Sequence, residues 1–179
     1  MFRQDVGLTM RLLRYLNSAA FGWRYEITSL HHALSLMGLR PLRKWATMMG
    51  FVSLAEDRPH ELAVTALTRA RFAEQLAPPS GLAAHELELF LTGMLSTTEA
   101  MIGRPMAEVI GALAVPDLVK RTLLGTRTLL EPVLGVVTSF ERGDWRGVET
   151  ARAAVPIDDE SLSAAYVSSL RWAEAAARA

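Results

Sequence analysis

Apolar residues along the chain recur almost everywhere with the period of a helix. Leu8, Leu12 and Leu16 stand four apart, with Leu13 beside them, and give a first helix one apolar face. Leu30, Ala33, Leu34 and Met37 repeat at i, i+3, i+4 and i+7 in a second, with Ser29 placed as N-cap and Gly38 just past its end. Pro41 suits the first turn of a third helix through Trp45, Met48, Met49 and Val52. A fourth runs over about 60–76, until Pro78-Pro79-Ser80-Gly81 breaks the pattern. Leu87, Phe90, Leu91, Met94 and Leu95 mark a fifth, stopping near Gly103. Met106, Val109, Ile110 and Leu113 make a short sixth, and Pro116 opens a seventh to about Leu124. Leu130, Val133, Leu134, Val137 and Phe140 form the stripe of an eighth, ending at Gly143. Asp144 is placed to cap a short ninth, and Asp158 a last one whose Leu162, Ala165, Tyr166, Ser169, Leu170 and Ala173 share a face. No segment alternates over strand length, and no long period recurs. The pattern predicts an all-α multi-helix bundle of about ten helices with no sheet. The break at 78–81 divides a single domain, 1–179, into two helical lobes of about 1–77 and 82–179. Trp172, flanked by Leu170 and Ala173, is expected to be largely buried.

Composition narrows the classes. Of 179 residues, 50% are hydrophobic and 21% charged, enough apolar material for a real core. Lys plus Arg and Asp plus Glu both number 19, so net charge offers nothing to nucleic acid or an anionic membrane, and neither is expected as a partner. Cysteine is absent, which removes disulfides and thiolate metal sites. No apolar run approaches the roughly 18 residues of a membrane span, and no secretory signal opens the chain. The expected location is cytoplasmic.

The usual chemical constellations are missing. The histidines are His31, His32, His60 and His85, and no two stand at the i, i+4 spacing that sets a pair of imidazoles on one helix face. His60-Glu61 and His85-Glu86 begin like a zinc-protease helix, but positions 64 and 89 are Val and Leu. His31 and His32 point about 100° apart on a helix and do not chelate one ion easily. Asp158-Asp159-Glu160 is explained by capping and the helix dipole. Arg40, Arg43 and Lys44 read as a solvated basic face around a helix start. Glycine and serine spacings match neither a phosphate loop, a dinucleotide fingerprint nor a nucleophile elbow.

The two opening helices, Asp5 to Gly22 and Ser29 to Leu39, resemble the start of the HDOD domain, a bacterial signalling module related to the HD metal-dependent phosphohydrolases. The segment Leu87 to Thr97 is similar to the one that carries the His-Asp pair in catalytic HD proteins. Ser96 and Thr97 stand at the positions of that pair, and the upstream ligand histidine falls near Thr68-Arg69-Ala70-Arg71. Hydroxyls are poor ligands for the iron, manganese, zinc or magnesium these sites use, and arginine repels a cation. The resemblance therefore implies a degenerate centre, with no catalytic residue, no metal ligand and no cofactor. Gly143-Asp144-Trp145 and Ala165 to Ala173 resemble HDOD domains that follow an EAL domain, the cyclic di-GMP phosphodiesterase or its inactive sensor relative.

What the resemblance implies is a non-catalytic regulatory and protein-interaction domain in bacterial cyclic di-GMP signalling. Its expected partner is a protein, an upstream EAL-type domain lying before residue 1 or another signalling protein. The alternative is a cryptic metal-dependent phosphohydrolase with a relocated site, drawing for instance on His31, His85 and Asp117. A helical DNA-binding regulator is disfavoured because no helix is unusually basic.

Overall fold

The computed structural model describes residues 60–112 and 115–177, together with Leu13, Ile27, Ser29, His31, His32, Ser35, Gly38 and Lys44. Labels begin at residue 60: α1 His60–Gln75, α2 Glu86–Leu95, α3 Thr98–Ile102, α4 Met106–Ala112, α5 Asp117–Leu123, α6 Glu131–Glu141, α7 Trp145–Arg152 and α8 Asp159–Ala177. The described residues contain helices, turns and loops and no strand, and the fold is all-α. No helix among them is long and apolar enough to cross a membrane. Most of the first three helices lies outside the described residues. The second keeps its predicted ends: the Ser29 hydroxyl accepts from the His32 amide at 3.1 Å, and Gly38 takes the left-handed φ of 74°.

Capping decides the later boundaries. Asp144 accepts from the Gly147 amide at 3.0 Å and opens α7, and Asp158 accepts from the Ser161 amide at 2.7 Å ahead of α8. The predicted fifth helix is instead two. After Leu95 the Ser96 and Thr97 hydroxyls turn back onto the carbonyls of Gly93 and Met94, each at 2.7 Å. Such local bonds offer the backbone an alternative to the helix ladder, and the chain restarts as α3 at Thr98. A single 3-10 turn, Ala83–His85, precedes α2 and has no counterpart in the sequence pattern.

Helices α1 and α8 run antiparallel through the molecule, and two apolar clusters form along them. One collects Ala63, Ala66, Leu67 and Ala70 of α1, Phe90, Leu91, Met94 and Leu95 of α2, Ile110, Val119, and Ala173 and Ala176 near the end of α8. Leu13, Ile27 and Trp172 also pack there. The other joins Phe72 and Ala73 of α1, and Leu76 just beyond it, to Leu89, to Val133, Val136 and Val137 of α6, to Val148 of α7, and to Leu162 and Ala165 early in α8. Alanines on α1 let α2 and α8 approach closely. At Gly93 the approach is closest, since a Cβ there would stand 2.6 Å from the Arg69 carbonyl oxygen.

Trp172 packs against the core as expected but is not fully enclosed. It is half-buried, its ring edge-on to Phe90 at 6.0 Å, with one side left to solvent and to basic side chains. Its neighbours Leu170 and Arg171 are exposed, because α8 presents only one face to the core and Leu170 lies off it.

Candidate functional site: a filled helix junction

Arg69 sits on the side of α1 that faces the C-terminal ends of α2 and α6. Its guanidinium engages all three nitrogens. Nε donates to Glu141 Oε2 at 2.7 Å, one terminal nitrogen meets the same oxygen at 2.6 Å, and the other donates to Ser96 Oγ at 3.1 Å. Ser96 caps the end of α2 and passes its own proton to the Gly93 carbonyl, so its oxygen is free to accept from Arg69. Glu141 is the last residue of α6. A carboxylate there opposes the helix dipole, and the guanidinium compensates it. The side chains are only 20% and 13% exposed, so solvent screens the pair little.

The neighbouring positions are equally committed. Thr97 is buried, its hydroxyl given to the Met94 carbonyl and 3.7 Å from Met101 Sδ. Thr68 Oγ1 is buried without a hydrogen-bond partner. Arg71, two residues beyond Arg69, leaves α1 in another direction and pairs with Glu74 at 2.6 Å. Glu74 also holds Lys44, whose ammonium lies 4.1 Å above the centre of the Phe90 ring. Lys44 therefore belongs to a partly buried cluster of two cations, one carboxylate and the Phe90 and Trp172 rings, and the solvated-face reading of it is corrected. Arg40 and Arg43 lie outside the described residues. The exposed Asp158 carboxyl is held below its usual value by its bonds to the Ser161 amide and hydroxyl, as capping requires.

This donor set does not suit the dinuclear metal of HD proteins. The two hydroxyls at 96 and 97 spend their protons on backbone carbonyls, and a guanidinium stands between the Ser96 hydroxyl and the Glu141 carboxylate. Among the described residues no three histidine or carboxylate side chains group closely enough to hold an ion elsewhere. His31 and Asp117 are exposed, and His85 is half-buried with an unpartnered Nδ1.

Sequence reasoning placed Arg69 and Ser96 at this centre and missed Glu141. No local signal marked it, since Arg142 stands directly beside it as an ordinary charge neighbour would.

A family model of the HDOD domain matches residues 1–109. The chain belongs to the HDOD family. Arg69, Ser96 and Thr97 fall within the HDOD-matched segment, and Glu141 falls beyond it. Over 171 residues the chain is 28% identical to the Vibrio cholerae protein called cyclic di-GMP phosphodiesterase CdgJ, covering 96% of this chain and 40% of that one. Over 172 residues it is 25% identical to the uncharacterized protein YuxH of Bacillus subtilis, covering 94% and 41%. The likeness thus reaches well past the HDOD-matched segment, while this chain spans about two fifths of the length of each relative. No solved structure matches.

Proposed function

We propose that this HDOD chain is a non-catalytic regulatory module of bacterial cyclic di-GMP signalling, acting on an EAL-type domain by contact. The observation that carries the reading is the Arg69 guanidinium bonded between Ser96 and Glu141, where a hydrolase of this lineage needs ligands for a cation. The name of the Vibrio relative supports the signalling context. In such a module the helical scaffold supplies a shaped, rigid surface, and hydrolysis belongs to the neighbouring domain.

Two measurements test this. The purified chain, washed with chelator and resupplied with manganese or iron, should retain no stoichiometric metal and should not hydrolyse cyclic di-GMP or nucleotides. Titrated into an EAL-type phosphodiesterase domain, it should change that domain's rate of cyclic di-GMP hydrolysis saturably. Retained metal with phosphodiesterase activity in the chain alone overturns the non-enzyme reading, and an EAL rate indifferent to the chain overturns the contact mechanism.

A further inference from the structure

The junction of α1, α2 and α6 has the makings of a cation site quite apart from its ancestry. The C-terminal ends of α2 and α6 bring partial negative charge together there, at Ser96 and Glu141. Neither helix carries a basic residue in its last turn, and Arg142, the C-cap of α6, is exposed. Glu141 adds a full charge, and its Oε1 is buried without a hydrogen-bond partner while Oε2 takes both of its contacts from Arg69. A buried carboxylate with spare acceptor capacity at a helix C-terminus demands a positive charge close by. The geometry selects a particular kind. Three nitrogens in one plane reach Glu141 Oε2 twice and Ser96 Oγ once, which a guanidinium fork satisfies and a spherical ammonium does not.

We infer that this junction is a binding site for a planar guanidinium cation and that Arg69 is its built-in occupant, tying the HDOD-matched segment to the helices beyond it. Arg69 and Ser96 lie within residues 1–109, whereas Glu141 lies outside them, so the cation joins the two parts of the chain. Gly93 is part of the same device. It lets the backbone of α1 come within touching distance of α2 at Arg69 itself, so the guanidinium is delivered from a fixed point.

The experiment is chemical rescue. Arg69→Ala empties the site, and its melting temperature should fall by roughly 10 °C, the scale expected when one partner of a largely buried ion pair is removed. Low-millimolar guanidinium chloride should then recover a saturable part of that loss, with urea and ammonium chloride at equal concentration recovering none. The unsubstituted protein, its site already filled, should gain nothing. An unchanged melting temperature, or recovery no better with guanidinium than with ammonium, overturns the inference. If Arg69→Ala does not fold, Arg69→Lys and Glu141→Gln, singly and combined, take its place. A double variant no less stable than the worse single supports the site, and strictly additive losses overturn it. None of these readouts depends on whether the chain hydrolyses or contacts anything.

Discussion

Lys44 shows how far a side chain's behaviour can depart from its type. Burial disfavours its charged form and pulls its pKa below the ordinary 10.5, Glu74 opposes the shift by attraction and a hydrogen bond, Arg71 adds to it, and Glu86 weakly opposes it. The folded protein therefore holds this proton less firmly than the unfolded chain does. Keeping Lys44 charged is a penalty that fades as pH rises from the lowered value towards 10.5. At neutral pH Lys44→Met should be tolerated, because Glu74 keeps its bond to Arg71 and the methionine still covers Phe90. Urea denaturation at a series of pH values should then show the unsubstituted protein gaining on Lys44→Met as pH climbs through that window. A stability gap that does not move with pH means the ammonium is not held this way.

At the scale of the element, two glycines within helices make opposite predictions. Gly93 of α2 faces backbone, and an added Cβ would meet the Arg69 oxygen at 2.6 Å and Ala70 Cα at 3.0 Å. Backbone cannot swing aside, so Gly93→Ala should push α1 and α2 apart at a cost of about 1–3 kcal/mol. Gly111 of α4 has nothing within 4 Å of the same position. Gly111→Ala should be neutral or stabilise by up to about 1 kcal/mol through helix propensity and reduced freedom of the unfolded chain. Urea midpoints of the pair check both. Equal effects would mean that the α1–α2 contact is looser than the structure has it.

In the whole molecule, the two apolar clusters are not independent, because α1, α2 and α8 each contribute to both. The aromatic contacts concentrate on the second cluster. Phe72 stands edge-on to Phe140 at 5.5 Å and to Tyr166 at 5.3 Å, and Phe140 in turn meets the exposed Trp145. Phe72→Ala should cost about 3–5 kcal/mol, from lost burial and the cavity left. Since α1 threads both clusters, the loss should lower a single transition, seen at the same urea concentration by far-ultraviolet dichroism and by tryptophan fluorescence. Two separated transitions would show the clusters to be separate folding units.

By itself the sequence determined the helical period and the polar caps Ser29, Asp144 and Asp158. Each of these rests on residues close together in the chain, where spacing dictates geometry. The helix break at 96–97 was legible only in hindsight, because Ser and Thr bond back to the backbone in some helices and end others. What the tertiary structure alone decided is where charge meets charge. Arg69 and Glu141 are 72 residues apart, and Lys44 and Glu74 are 30 apart. Nothing local distinguishes these from solvated surface residues. Trp172 likewise took its half-open position from which face of α8 meets the core. Folding brings such groups together through apolar contacts made elsewhere, and only then does low solvent exposure give their charges strength.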